Sequence, residues 1–193
     1  HLRQTTNTDV KRSSIHPTPN YGLTTMHNGE VNNIERLFHW MIGNQGFKDF
    51  LGFNAEKSDL VSILKGYSDT YLFSLYQTYL MDIGIPIKNI LGGQFVPFGC
   101  FEGSGIVVQG PATYVTTVND EKFISVDDQG GRPCIVDVFK NQQGSVITYR
   151  VGSVPGITTP MSKEEVSKGS WERVDIPLGR TLCISRSGSG SQA

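Results

Sequence analysis

Three short polar segments carry side chains that could together hold a small zwitterionic molecule and stabilise a negative charge. They are residues 3–8 (Arg-Gln-Thr-Thr-Asn-Thr), residues 27–32 (His-Asn-Gly-Glu-Val-Asn) and residues 68–70 (Ser-Asp-Thr). The guanidinium of Arg3 could grip both oxygens of a carboxylate in one plane. The side-chain amide of Asn28 and the backbone N–H of Gly29 could converge on one oxyanion, since glycine allows a close approach. Asp69 supplies a carboxylate that could bind an ammonium group.

Each of these residues also has an ordinary structural interpretation. Arg3 could be a surface arginine near a chain end. Asn-Gly is a common turn signal, so Asn28 and Gly29 could form a plain turn between a strand and a helix. A Ser or Asp just before a helical pattern is typical of an N-cap. In that segment both roles can hold, with Ser68 capping the helix while Asp69 faces a pocket.

Two amphipathic patterns predict the helices that would position these segments. The first has apolar residues at three- and four-residue spacing, at Val31, Ile34, Leu37, Phe38 and Met41. Gly43 and Gly46 are expected to close that helix or to lie just past it. The second begins near residues 68–69, ends before Gly84 and Pro86, and carries on one face Leu72, Leu75, Tyr76, Tyr79 and Leu80. The first thirty residues are turn-rich, and residues 16–20 are predicted to form a loop.

The second half of the chain is dominated by β-branched and aromatic segments. Strands are predicted at residues 106–109, 113–118, 122–126, 134–139, 146–151 and 181–185. Turn residues separate them at 119–120, 127–131 and 141–144. Helices followed by a run of strands indicate an α+β fold or a layered sandwich. One domain is expected over residues 1–186, with residues 187–193 as a flexible tail or linker.

The composition is that of an ordinary globular domain, with 37% hydrophobic residues, 18% charged residues and a formal net charge of -1 in 193 residues. No basic excess indicates a nucleic-acid partner, and no charge block or long apolar run indicates a membrane. The cysteines at 100, 134 and 183 fit neither a disulfide framework nor a zinc motif. We expect three buried or half-buried thiols in a reducing compartment, and therefore a cytoplasmic location.

The three polar segments, in this order, resemble the substrate pocket of class II glutamine amidotransferases, most closely the glutaminase domain of glutamate synthase. Further motifs that follow the same order extend the resemblance over nearly the whole chain. They are residues 38–41 (Phe-His-Trp-Met), 110–112 (Gly-Pro-Ala), 127–133 (Asp-Asp-Gln-Gly-Gly-Arg-Pro), 151–154 (Val-Gly-Ser-Val) and 177–180 (Pro-Leu-Gly-Arg). Arg150 departs from the pattern, because many members carry an acidic residue there.

The resemblance implies an N-terminal-nucleophile hydrolase fold, an αββα sandwich that here lacks its first strands. It also implies a role for each candidate residue. The oxyanion hole would be formed by Asn28 and Gly29, and the substrate L-glutamine would be bound by Arg3, Thr6, Asn7 and Asp69. His27 is expected to shape the loop, because in this family the N-terminal amine of a cysteine is thought to act as the base.

The implied reaction is hydrolysis of glutamine to glutamate, with ammonia passed to a synthase domain or subunit. The partner would be of the glutamate synthase or the N-methylglutamate synthase type. FMN and an iron–sulfur cluster are expected only in that partner, and no cofactor or metal is expected in this domain.

The family's nucleophile is an N-terminal cysteine, whereas this chain begins with His1. The resemblance therefore places the nucleophile outside these residues and predicts that the chain alone is inactive. The alternative is a non-catalytic glutaminase-like domain with a structural or amino-acid-binding role.

Overall fold

A computed structural model describes residues 18–20, 22–32, 34–52, 57–87, 90, 112–127, 130–153 and 167–185. Several predictions lie outside these ranges, namely those for Arg3, Thr6, Asn7, Cys100, the strand at 106–109 and the tail at 187–193. The helices are α1 (Ile34–Gly43), α2 (Gln45–Phe50), α3 (Lys57–Leu64) and α4 (Asp69–Asp82). The strands are β1 (Thr18–Asn20), β2 (Leu23–Gly29), β3 (Ala112–Val118), β4 (Glu121–Val126), β5 (Ile135–Asn141), β6 (Val146–Gly152), β7 (Gly169–Val174) and β8 (Thr181–Ser185).

Within the described ranges, the strands form two antiparallel sheets. One has five strands in the order β1-β2-β3-β4-β8, and the other has three in the order β6-β5-β7. Helix α4 packs against β1 and β2 of the larger sheet, and α1 and α2 pack against α4. Helices on a sheet, joined by a second sheet from the later part of the chain, confirm the α+β class predicted from the sequence.

The larger sheet is buried on both faces along β4, as in a layered sandwich. Side chains alternate between faces along a strand, so Phe123 lies on the face that carries Thr116 and Ile124 on the opposite face. Both Phe123 and Ile124 are buried. The main core lies on the helical side, where α4 is enclosed between the sheet and the other helices. All residues from Thr70 to Leu80 except Tyr71 are buried, so α4 buries most of its circumference and not the single face predicted.

The predicted helix from Val31 begins at Ile34, and Val31 is a buried residue in the preceding segment. Gly43 ends α1 as predicted. Gly46 belongs to the separate short helix α2, which the sequence pattern did not predict. The side chain of Asn44 caps α2 by accepting a hydrogen bond from the N–H of Phe47 at 2.8 Å. A Cβ at Gly46 would lie 2.9 Å from the hydroxyl of Tyr79, which explains the glycine.

The prediction of a loop at residues 16–20 is wrong for its described part, because Thr18–Asn20 form strand β1. Among the described strands β1 lies at the edge of the sheet, where proline is tolerated because its missing backbone donor need not interrupt the pairing. Strand β7 was also not predicted. Its charged residues Glu172 and Arg173 weaken the apolar signal, although they pair across the sheet with Lys140 and Asp137.

Candidate functional site

The His-Asn-Gly segment, residues 27–29, forms the last part of strand β2 and lies at one end of the larger sheet. Asn28 pairs with Thr113 and Gly29 pairs with Ala112, at the beginning of β3. Burial alternates along β2, with Leu23, Thr25, His27 and Gly29 buried and the residues between them half-buried. The side chain of His27 therefore faces α4, and that of Asn28 projects from the other face of the sheet.

Gly29 combines a special backbone conformation with an N–H that points away from β3. Its φ is +145°, a value that side-chain-bearing residues rarely adopt. Ala112 uses both its N–H and its C=O in hydrogen bonds to Asp127. Because backbone groups alternate in an antiparallel ladder, Gly29 and Ala112 form a pair without hydrogen bonds to each other. The N–H of Gly29 thus points away from β3, toward the side where the described part of β1 ends opposite Thr25.

The start of α4 contributes the carboxylate of Asp69 to this end of the sheet. Ser68 is the N-cap, and its hydroxyl accepts a hydrogen bond from the N–H of Tyr71 at 3.2 Å, as predicted. Asp69 Oδ2 accepts from the N–H of Val31 at 3.1 Å, and Asp69 Oδ1 accepts from the N–H of Thr70 at 2.7 Å. The Asp69 side chain is 20% exposed. Asp69 therefore ties α4 to the residue that stands two positions after Gly29.

His27 fills the space between β2 and the start of α4. Its Nδ1 lies 3.0 Å from Thr70 Oγ1 and 3.8 Å from Asp69 Oδ2. Its ring stacks on that of Tyr114 at a centroid distance of 4.5 Å, and Tyr114 in turn packs against Phe73. These contacts fix the end of β2 against the helix that carries Asp69.

The phenol of Tyr114 stays protonated in this environment. Burial raises its pKa well above the usual value, and the negative charges of Asp69 and Asp127 raise it further. Tyr114 therefore contributes a neutral ring and hydroxyl between two carboxylates.

Of the six candidate residues, the structure brings Asn28, Gly29 and Asp69 to one end of the larger sheet. Arg3, Thr6 and Asn7 lie outside the described residues. Thr70 and Tyr114 also lie beside this site, although the sequence did not predict them there. For Thr70, its place beside Asp69 in the third polar segment was an available signal. For Tyr114, the only signal was its place in a predicted strand.

Other candidate features of the described residues do not form a site. In the ranges that the structure describes, no group of three or more His, Cys, Asp or Glu side chains could hold a metal ion. Cys134 is half-buried, and burial raises the pKa of its thiol to about 11. Cys183 is exposed on the edge strand β8, so the expectation of a buried or half-buried thiol is wrong there. No helix in the described part of the chain is both long and apolar enough to span a membrane.

Comparison with known proteins gives similarity only at the level of structure. No family model matches the sequence, and no curated protein matches it. A glutamine phosphoribosylpyrophosphate amidotransferase from B. subtilis, complexed with ADP and GMP, is 16% identical with a TM-score of 0.42. A structure described as the allosteric regulatory enzyme of purine biosynthesis is 17% identical with a TM-score of 0.46.

Both similarities extend over 97% of this chain, but over only 32% and 33% of the two solved chains. The chain thus spans about a third of the length of each.

Proposed function

We propose that this chain is a glutaminase domain of the class II amidotransferase type, which hydrolyses L-glutamine to glutamate and ammonia. The observation that carries the proposal is the hydrogen bond from the N–H of Val31 to Asp69. It holds a partly exposed carboxylate beside the Asn28–Gly29 end of β2. The order of the sequence motifs supports the same function.

In this proposal Asp69 binds the α-ammonium group of glutamine. An ionised carboxylate has about four lone-pair positions, of which three are occupied, by the N–H groups of Val31 and Thr70 and by the Thr70 hydroxyl at 3.3 Å. Acceptor capacity therefore remains for an ammonium group. Because the backbone N–H groups already fix the orientation of the carboxylate, binding of the substrate costs little additional ordering.

Asn28 and Gly29 would act on the other end of the substrate. A cysteine thiolate attacks the side-chain amide carbon of glutamine, and the amide oxygen becomes negatively charged. The Asn28 amide and the Gly29 N–H donate to that oxygen. The amide nitrogen takes up the proton lost by the thiol, the C–N bond breaks and ammonia leaves, and water then hydrolyses the thioester to release glutamate and restore the thiol. The nucleophile is proposed to be an N-terminal cysteine outside these residues, while Arg3, Thr6 and Asn7 contact the substrate.

We further propose that the ammonia passes to a synthase domain or subunit of the glutamate synthase or N-methylglutamate synthase type. FMN and the iron–sulfur cluster would belong to that partner. This part of the proposal rests on the sequence motifs alone.

A second function is favoured by one observation. Both oxygens of Asp69 already accept hydrogen bonds within the chain, so Asp69 could serve only to tie α4 to residue 31. The domain would then be a non-catalytic relative with a structural or amino-acid-binding role.

Steady-state glutaminase kinetics of the native protein distinguish the two functions. Asp69→Asn should raise the KM for glutamine at least about tenfold, which corresponds to a loss of about 1.4 kcal/mol of binding. The control is Asp82→Asn, which changes an exposed carboxylate at the other end of the same helix. An inactive native protein would support the non-catalytic function. An active protein whose Asp69→Asn variant has an unchanged KM would remove Asp69 from the substrate pocket.

A further inference from the structure

The ladder between β3 and β4 ends in an unusual way at Asp127, a residue that is 2% exposed. Its N–H donates to the carbonyl of Ala112 at 3.0 Å, as expected for the next pair of the ladder. The N–H of Ala112, however, donates to Asp127 Oδ2 at 2.8 Å. The backbone carbonyl of Asp127 instead accepts from the N–H of Gly179 at 3.1 Å. The carboxylate of Asp127 thus replaces its own carbonyl as the partner of Ala112.

Because its carboxylate takes the place of its carbonyl, Asp127 can hold three segments of the chain together. Asp127 Oδ1 accepts from the N–H of Gly131 at 3.4 Å, within the turn that follows β4. Leu178 packs over Gly130 so closely that a Cβ at Gly130 would lie 2.8 Å from Leu178 Cδ2. Asp127 therefore links both the turn after β4 and the turn at 177–180 to the beginning of β3. Both turns belong to sequence motifs, residues 127–133 and 177–180, that have no role in the proposed reaction.

The beginning of β3 lies directly against the proposed oxyanion residues. Ala112 is the pairing partner of Gly29, and Thr113 is the partner of Asn28. The hydroxyl of Thr113 donates to the carbonyl of Arg132 at 3.2 Å, so the same turn also restrains the residue opposite Asn28. Ala112 is fully buried, and its N–H would lose its partner if the Asp127 carboxylate were removed.

We infer that Asp127 is a positioning residue for the oxyanion hole, acting through Ala112 on Gly29 and through the following turn on Asn28. The inference rests on the proposed glutaminase function. Oxyanion donors act on charge that develops in the transition state, so a displacement of Gly29 lowers kcat more than it changes KM. A displacement of about 1 Å is enough to cost about a hundredfold in rate.

Asp127→Asn tests the inference in the native protein. An asparagine oxygen can still accept from Ala112, but its NH2 group would face the N–H of Gly131 as a second donor. We expect kcat for glutamine to fall about tenfold or more, with KM changed less than about twofold. The matched control is Asp137→Asn, since Asp137 is a 5% exposed carboxylate that also accepts two hydrogen bonds, but in the smaller sheet. It should lower the melting temperature and leave kcat unchanged.

Each outcome has a distinct meaning. An active native protein whose Asp127→Asn variant keeps its kcat, or loses kcat only as much as Asp137→Asn, overturns the positioning role alone. A native protein that does not hydrolyse glutamine overturns the proposed function and this inference with it. If Asp127→Asn does not fold, Thr113→Val takes its place, because it removes only the hydroxyl contact to the turn. A lowered kcat at constant KM then supports the inference, and an unchanged kcat contradicts it.

Discussion

Asp69 begins helix α4, which packs on the larger sheet, and Asp137 lies in the smaller sheet. Both carboxylates are held by hydrogen bonds, but from different kinds of donor. Asp69 accepts hydrogen bonds from the backbone N–H groups of Val31 and Thr70. Asp137 accepts from the guanidinium groups of Arg150 at 3.0 Å and Arg173 at 3.1 Å. Neutral amides orient a carboxylate without cancelling its charge, whereas two arginines neutralise it.

The two carboxylates are therefore suited to different tasks. Burial raises the pKa of Asp137, but the hydrogen bonds and positive charges of Arg150 and Arg173 outweigh burial and hold it below the usual value. That carboxylate is engaged in joining three strands. Asp69 is oriented by two backbone N–H groups and the Thr70 hydroxyl, and its side chain is 20% exposed, as a site for a cationic ligand requires. The comparison also accounts for Arg150, which departs from the amidotransferase pattern and here pairs with Asp137 and lies over Trp171.

The largest effect is expected at Asn28. Asn28→Ala in the native protein should lower kcat for glutamine by about a hundred- to a thousandfold, because one oxyanion donor is lost. Steady-state kinetics measure it, and Thr24→Ala is the control on the same face of the same strand. Equal turnover in Asn28→Ala and Thr24→Ala would remove Asn28 from the oxyanion hole.

Asp137→Ala should affect stability and spare catalysis. It leaves the guanidinium groups of Arg150 and Arg173 without their shared partner, so the free energy of unfolding should fall by about 1–3 kcal/mol. Urea denaturation measures the loss. The comparison of the two carboxylates fails if kcat or KM for glutamine changes in this variant at a temperature where it remains folded.

The stabilisation by Asp137 should depend on pH. Because its pKa is lowered in the folded protein, the unfolded chain takes up a proton first as the pH falls below about 3.9. The contribution is therefore complete above that pH and is lost as the pH falls through the lowered pKa. Urea denaturation of the native protein and of Asp137→Ala at pH 7 and at pH 3 should show a smaller difference at pH 3. A constant difference would show that the pairing with arginine is not what stabilises the sheet.

The smallest effect is expected at Trp171, whose ring centroid lies 4.1 Å from the guanidinium carbon of Arg150. A double-mutant cycle with Trp171→Leu and Arg150→Gln should give a coupling of about 0.5–1 kcal/mol, typical of a cation–π contact near the surface. Zero coupling would mean that the ring of Trp171 does not help to orient Arg150.

The sequence predicted the elements with strong local patterns. Helix α4, its Ser68 cap and strands β3, β4, β5, β6 and β8 follow from periodicity and turn residues. Strand β1 contains a proline and lies at the edge of the sheet among the described strands. Strand β7 carries two adjacent charged residues, Glu172 and Arg173, which pair with Lys140 and Asp137 on β5. The pairing of β7 with β5 joins residues such as Asp137 and Arg173, which are 36 positions apart, and local patterns could not predict it. Strand β1 pairs with the adjacent β2, and it was missed because its proline is typical of a loop.

The candidate site likewise combines residues that the sequence identified with contacts that it did not indicate. Asn28, Gly29 and Asp69 were identified within short polar segments. The contact of His27 with Thr70 joins residues 43 positions apart, and the pairing of Gly29 with Ala112 depends on the register of β2 and β3. No spacing within one segment indicates such contacts. The hydrogen bond between Asp127 and Ala112 was not predictable either, because a side-chain carboxylate accepts from an N–H that normally pairs with a backbone carbonyl.

The most direct test of the glutaminase site is covalent labelling of the native protein with a diazoketone analogue of glutamine, followed by mass spectrometry of its peptides. Alkylation of a single N-terminal cysteine, prevented by excess glutamine and reduced in Asp69→Asn, is the expected result. Absence of labelling, or labelling at Cys134 or Cys183 that glutamine does not prevent, would contradict a glutaminase site at the end of β2.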